Sequence, residues 1–99
     1  MKKYLVIGNP IEHSLSPKIH NFWIKQNKIK AIYEKKKIDK ADIPSLILDI
    51  KKENLQGMNV TVPFKKLVIP YLDEMTQCAE KTQSVNTIYK KQNKIIGDN

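Results

Sequence analysis

The chain has 99 residues, a net charge of +8 and 40% hydrophobic residues, which is the size and composition of one globular domain. Its single cysteine, Cys78, excludes an internal disulfide framework, and no apolar run approaches the ~20 residues of a membrane-spanning helix. These features predict a cytoplasmic protein that does not enter a membrane. All 18 basic residues are lysines scattered along the chain, whereas nucleic-acid contacts favour arginine. We interpret the charge as solvated surface and keep a small lysine-rich nucleic-acid-binding module as an alternative.

The apolar pattern alternates between strand and helix periods along the chain. In chain order, the predicted elements are strand 4–7, helix 16–26, strand 31–38, helix 42–50, strand 58–62, an interrupted helical stretch 64–72, helix 73–82, and a hairpin of strands 84–89 and 94–98. We expect the apolar face of the first helix, with Ile19, Phe22 and Trp23, to pack on the sheet. This order predicts an α/β fold with an open, mostly parallel twisted sheet, flanking helices and a C-terminal antiparallel hairpin.

Two serines stand at the start of the first predicted helix, in the loop after the first strand. Ligands of open α/β sheets bind beyond the carboxyl ends of the strands. The Ser14 and Ser16 hydroxyls, free backbone N–H groups and the positive end of the helix dipole favour a carboxylate or phosphate there. The simpler interpretation, to which spacing alone gives more weight, is that Ser16 only caps the helix and Ser14 is only a loop residue.

Polar side chains also accompany the third strand and the hairpin. Asn59 and Thr61 share one strand face, and Asn86 lies among apolar neighbours. Each amide can hold a substrate hydroxyl or simply bond to a nearby loop, and Thr61 can be an ordinary strand residue. Lys65 follows at the start of the next predicted helix, where the helix dipole disfavours a cation. A role toward a ligand therefore competes with the default of a solvated lysine.

Metal and dinucleotide sites are not predicted from this sequence. His13 and His20 are seven residues apart and lack an acidic partner at ligand spacing, so we interpret them as surface or capping residues. The three glycines, at positions 8, 57 and 97, form no G-x-G-x-x-G motif. The chain therefore carries no dinucleotide-binding loop of its own.

Four motifs occur in order: Gly8-Asn9-Pro10-Ile11-x-His13-Ser14-x-Ser16-Pro17-x-x-His20, Gly57-x-Asn59-Val60-Thr61-Val62-Pro63-Phe64-Lys65, Val85-Asn86-Thr87 and Gly97-Asp98-Asn99. Together they closely resemble the amino-terminal, substrate-binding half of shikimate dehydrogenases, over the whole chain. The resemblance implies an oxidoreductase that reduces 3-dehydroshikimate to shikimate with NADPH in aromatic amino-acid biosynthesis. The partner that it implies is this small-molecule substrate, with no nucleic acid or membrane, and it leaves the oligomeric state open.

The same resemblance implies roles for individual residues. Lys65 corresponds to the catalytic lysine, and Gln77 falls where the family's substrate domain can approach the cofactor. The substrate carboxylate and ring hydroxyls would be bound by Ser14, Ser16, Asn59, Thr61 and Asn86. From the resemblance and the ligand-facing loops, we also expect a cis peptide bond before Pro63 or Pro10.

The family's sequences continue beyond Gly97-Asp98-Asn99 with Thr-Asp-Gly, whose aspartate partners the catalytic lysine. An NADP-binding domain and returning C-terminal helices follow. The resemblance therefore predicts that residues 1–99 are the substrate-binding domain of a longer enzyme, are inactive alone, and leave NADP to be bound mainly by a domain outside this chain. The nearest rival is a quinate/shikimate dehydrogenase that uses NAD or NADP, which would differ in the absent cofactor domain.

Overall fold

The computed structural model describes residues 2–11, 16–26 and 30–99. Two 3-10 turns, Lys40–Asp42 and Ile69–Tyr71, accompany the regular elements. These elements are β1 (Lys2–Gly8), α1 (Ser16–Gln26), β2 (Ala31–Lys37), α2 (Ile43–Lys51), β3 (Gly57–Val60), β4 (Glu74–Met75), α3 (Gln77–Thr82), β5 (Thr87–Lys91) and β6 (Lys94–Asp98).

The strands of the described residues form one six-stranded sheet in the order β2-β1-β3-β5-β6-β4. Strand β1 is parallel to β2 and β3, and β4 is parallel to β6, whereas β5 is antiparallel to both of its neighbours. Every strand except β5 therefore runs in the same direction. This confirms the predicted open, mostly parallel sheet with a C-terminal antiparallel pair. Strand β2 lies at the edge of the sheet, where its lysines disfavour pairing with the edge of another sheet.

The main core lies between α2 and one face of the sheet. The α2 residues Ile43, Leu46, Ile47 and Ile50 follow helical spacing, and all four are buried. The sheet residues that pack against them alternate along each strand with residues whose side chains point to the opposite face, because successive side chains of a strand point to opposite faces. The sheet residues in this cluster include Leu5, Ile7, Met58, Val60, Ile88 and Ile95. Burial of this continuous apolar face holds β1, β3, β5 and β6 in register.

Helix α1 covers part of the other face, where Val6, Ile11 and Tyr33 form a smaller buried cluster. The Asn21 side chain fixes the helix to β2, since its Nδ2 donates to the Tyr33 carbonyl at 2.6 Å and its Oδ1 accepts from the Tyr33 N–H at 2.8 Å. The His20 ring stacks on the Tyr33 ring, with centroids 4.3 Å apart.

The expectation that Phe22 packs on the sheet is wrong, because 69% of this residue is exposed. His20 and Asn21 contact Tyr33 from α1, and Ile24 packs against the smaller cluster. At 3.6 residues per turn, Phe22 lies roughly 150° around the helix from the middle of that face. The side chains of Ile19 and Trp23 lie outside the description.

Two element predictions need correction near the C-terminus. The predicted helix 73–82 is wrong over its first residues, because Glu74–Met75 forms a parallel strand beside Ile96 and Gly97 of β6. The open edge of β6 offers these residues hydrogen bonds that compete with a helix, and α3 begins only at Gln77. The strand predicted at 84–89 begins at Thr87.

The chain between β3 and β4 is irregular. Strand β3 ends at Val60, two residues earlier than predicted, and the 3-10 turn that contains Pro70 replaces the interrupted helical stretch. The peptide bonds before Pro10 and Pro63 are both cis, which confirms the expectation of a cis bond in these loops.

Candidate active site

An open cavity of about 290 Å³ lies where β1 and β3 end and β5 begins. This is the carboxyl-end edge of the parallel strands at which the sequence predicts a ligand site. The cavity is lined by Val6, His20, Asn59, Val60, Thr61, Lys65, Asn86 and Thr87. Four residues that the sequence analysis singled out, Asn59, Thr61, Lys65 and Asn86, therefore share one cavity.

The position of Thr61 depends on the close approach of two strand ends. The Thr61 N–H donates to the Ile7 carbonyl at 2.9 Å, and the Asn9 N–H donates to the Val62 carbonyl at 3.0 Å. A Cβ atom on Gly8 would lie 2.5 Å from Cγ2 of Thr61, so only glycine fits this crossing without displacing the threonine. Within the described residues, the Thr61 hydroxyl has no hydrogen-bond partner and is available to a ligand.

Lys65 lies in the turn that follows β3. Its carbonyl accepts from the Val85 N–H at 2.9 Å, which joins this turn to the segment before β5. The neighbouring Phe64 is buried in the core and anchors the backbone. The Lys65 side chain is half-buried, and the ion pairs of the described part of the chain do not include it. The cavity thus contains an ammonium group that no described carboxylate neutralises.

Both amides at the cavity are engaged in hydrogen bonds within the protein. Oδ1 of Asn59 accepts from the Tyr33 hydroxyl, and its Nδ2 donates to the Asn86 carbonyl and to Oγ1 of Thr87, each at 3.2 Å. Oδ1 of Asn86 accepts from the Thr87 hydroxyl at 3.1 Å, and its Nδ2 donates to Oδ1 of Asn99 at 3.1 Å. Asn59 can therefore only accept from a ligand, whereas Asn86 retains one amide hydrogen to donate.

Sequence reasoning missed Tyr33 and Thr87 as residues of the site. His20, which was interpreted as a surface or capping residue, is exposed and also lines the cavity. Thr87 carried a partial signal, because it follows Asn86 directly in the Val85-Asn86-Thr87 motif, whereas its pairing with Asn59 is set by the assembled sheet. Tyr33 carried none, since β1 separates its strand from β3 and only the assembled sheet brings it to Asn59.

The remaining predicted residues lie elsewhere. Ser14 is outside the described residues, and Ser16 is described only as the first residue of α1. The carboxylate site that they were expected to form stays a prediction. Gln77 is the exposed first residue of α3 and does not line the cavity.

The residues that the structure describes contain neither a cluster of metal-ligating side chains nor a glycine-rich turn before a helix. Among them there is no group of His, Cys, Asp or Glu side chains that could hold a metal ion. Glycines 8, 57 and 97 all lie in strands, so none forms the turn before a helix that cradles a pyrophosphate. The three glycines thus form no phosphate-binding turn of the dinucleotide-binding type. None of the described helices has the length and apolarity to cross a membrane.

The model of the shikimate dehydrogenase substrate binding domain matches residues 6–88. The chain is 63% identical over 98 residues to the NADP(+) shikimate dehydrogenase of Pelagibacter ubique, covering 99% of this chain and 37% of that protein. The corresponding enzyme of Pyrococcus furiosus is 42% identical over 96 residues, with 97% of this chain and 35% of that protein covered.

Solved structures give the same result. The shikimate dehydrogenase of Aquifex aeolicus superposes with a TM-score of 0.91 at 35% identity, over 100% of this chain and 37% of that one. A Thermus thermophilus shikimate 5-dehydrogenase in complex with shikimate gives 0.92 at 27% identity, over 100% and 38%. The chain spans little more than a third of the length of these relatives. By its family match and its fold, the chain belongs to the shikimate dehydrogenase substrate-binding domain family.

Proposed function

We propose that residues 1–99 are the substrate-binding domain of a cytoplasmic shikimate dehydrogenase, which reduces 3-dehydroshikimate to shikimate with NADPH in aromatic amino-acid biosynthesis. The observation that carries this proposal is the cavity at the strand ends, which the half-buried Lys65 lines together with Thr61 and Asn86. The family match supports the same activity and disfavours the nucleic-acid-binding alternative.

The chemistry of the cavity suits a small polyhydroxylated ring. Thr61 can donate to or accept from a ring hydroxyl, Asn86 can donate one amide hydrogen, and Asn59 can accept with its remaining lone pair. At about 290 Å³, the cavity is close to the lower limit of the volumes usual for ligand pockets. In this proposal Ser14 and Ser16 bind the substrate carboxylate, and the positive end of α1 supports them.

Lys65 carries the acid–base step in this proposal. Reduction of a ring carbonyl leaves an oxygen that must gain a proton, and the donor has to lie within hydrogen-bond reach of that oxygen. Lys65 lines the cavity, and its ammonium both stabilises negative charge on the oxygen and supplies the proton. NADPH supplies the reducing equivalent and is held by parts of the protein outside this chain, with Gln77 as the proposed point of approach.

The full-length gene product tests the proposal. We expect it to oxidise shikimate with NADP, measured by the absorbance of the NADPH formed, and to use quinate or NAD much less well. Comparable activity with quinate and NAD would establish the rival quinate/shikimate dehydrogenase instead. Absence of activity with both substrates and both cofactors, in a folded preparation, would refute the proposed function.

A further inference from the structure

We propose that Tyr33 and Thr87 are positioning residues that fix the side-chain amide of Asn86, so that it offers an N–H to the substrate. The inference rests on the proposed function, because it assigns these residues to the substrate site. Thr87 lines the cavity, whereas Tyr33 lies on the edge strand β2 and bonds through its hydroxyl to the cavity residue Asn59. Together with Asn59 and Asn86 they form a hydrogen-bond network in which the donor and the acceptor of each bond are determined.

The direction begins with Asn59. Nδ2 of Asn59 lies 3.2 Å from the main-chain carbonyl of Asn86, and a carbonyl can only accept. The nitrogen of the Asn59 amide must therefore face Asn86, which leaves its Oδ1 facing Tyr33. Since Oδ1 can only accept, the Tyr33 hydroxyl is the donor. A phenol at this position matches the orientation that the Asn86 backbone imposes, and a phenylalanine would leave Oδ1 of Asn59 without this partner.

The next link passes through Thr87. The second hydrogen of the Asn59 Nδ2 group points to Oγ1 of Thr87 at 3.2 Å, so this hydroxyl accepts there. Its single hydrogen is then free to donate to Oδ1 of Asn86 at 3.1 Å. This bond holds the oxygen of the Asn86 amide toward Thr87, and the nitrogen toward the cavity and Asn99.

Asn99, at the other end of the hydrogen-bond network, imposes the same orientation on the Asn86 amide. Nδ2 of Asn99 donates to the main-chain carbonyl of Ser84 at 3.1 Å, so Oδ1 of Asn99 must be the atom that accepts from Nδ2 of Asn86. The main-chain carbonyls of Asn86 and Ser84 therefore both require the same orientation of the Asn86 side-chain amide. That amide presents one remaining N–H, which selects a ligand oxygen with a free lone pair and rejects a ligand N–H donor.

Tyr33 also connects this hydrogen-bond network to α1. The Tyr33 N–H and carbonyl both form hydrogen bonds with the Asn21 side chain. The Tyr33 ring is stacked on His20, which itself lines the cavity. A displacement of α1 along β2 would therefore move the hydroxyl on which Asn59 depends. The placement of α1, whose first residue is Ser16, is thereby coupled to the amides on the other side of the cavity.

The test uses Tyr33→Phe and Thr87→Val in the full-length gene product, with Thr87→Ser as the conservative variant. Tyr89→Phe is the matched control, because Tyr89 lies on the same face of the sheet and its hydroxyl has no hydrogen bond within the described residues. Loss of one neutral hydrogen bond should raise KM for shikimate about two- to tenfold in Tyr33→Phe and Thr87→Val. We expect kcat to change less than twofold, Thr87→Ser to restore KM, and Tyr89→Phe to resemble the wild type.

A second measurement is independent of activity. In ligand-free protein labelled with ¹⁵N-asparagine, the side-chain amide resonances of Asn59 and Asn86 should move in Thr87→Val and return in Thr87→Ser. If KM and these resonances are unchanged in both Thr87→Val and Tyr33→Phe, the inference is overturned. Should Tyr33→Phe fail to fold, the Thr87 pair of variants decides. If the wild type does not act on shikimate, the proposed function fails. The amide resonances still decide whether the hydrogen-bond network orients the Asn86 amide.

Discussion

Lys65→Met should remove catalysis while leaving the fold almost unchanged. Methionine keeps much of the length and apolar character of the lysine stem and removes the ammonium group that carries the proposed proton transfer. The bond that fixes this turn, from the Val85 N–H to the Lys65 carbonyl, involves only backbone atoms and survives the substitution. The variant therefore separates the chemical role of the side chain from its structural role.

The magnitudes follow from the contacts of Lys65. Since no ion pair of the described residues involves Lys65, the free energy of unfolding should change by no more than about 0.5 kcal/mol. General acid–base catalysis contributes about 10²–10⁴-fold, so we expect kcat to fall at least 100-fold. KM for shikimate should change much less, because Thr61 and Asn86 keep their places at the cavity.

The assay measures kcat and KM for shikimate oxidation by the full-length gene product, with urea denaturation to determine stability. Lys66→Met is the matched control, because Lys66 is the adjacent lysine, is exposed and does not line the cavity. The control should resemble the wild type in both parameters. If Lys65→Met kept near-normal kcat and lost only affinity, Lys65 would be a binding residue and the proton donor would have to be another group.

Gly8→Ala should lower the free energy of unfolding by about 1–3 kcal/mol in urea denaturation, because the added Cβ would lie 2.5 Å from Cγ2 of Thr61. The displaced Thr61 should also raise KM for shikimate. An unchanged KM would show that the position of Thr61 does not depend on the absence of a side chain at Gly8. The pKa of Asp98 is lowered by the hydrogen bond from the Thr76 hydroxyl and then by the Asn99 N–H. Its contribution to stability is therefore complete above the ordinary value of 3.8 and lost as pH falls through the lower folded value, so Asp98→Asn should be destabilising at pH 7 and much less so near pH 2. A stability difference that stays constant with pH would contradict this. Residues 1–99 alone should not bind NADPH in calorimetry, because their glycines lie in strands; micromolar binding would refute that expectation.

Much of the fold is determined by local sequence patterns. The spacing of Ile43, Leu46, Ile47 and Ile50 defines the buried face of α2 without reference to the rest of the chain. Gln92 and Asn93 both adopt positive φ angles in the hairpin turn, which lies between the two segments that the sequence predicts as the hairpin strands. The motifs around Asn59, Lys65 and Asn86 likewise indicated the residues of the cavity, because their type and order along the chain are visible in the sequence.

Tertiary structure decided the features that depend on which strands become neighbours. Glu74 and Met75 form a strand because the edge of β6, some twenty residues later, offers them hydrogen bonds. Phe22 is exposed because contacts to Tyr33 determine the rotation of α1 about its axis. The link from Tyr33 to Asn59 exists only because β1 places β2 and β3 on its two sides. Periodicity in a sequence reports which side of an element is apolar, and the pairing of distant strands is a property of the assembled sheet.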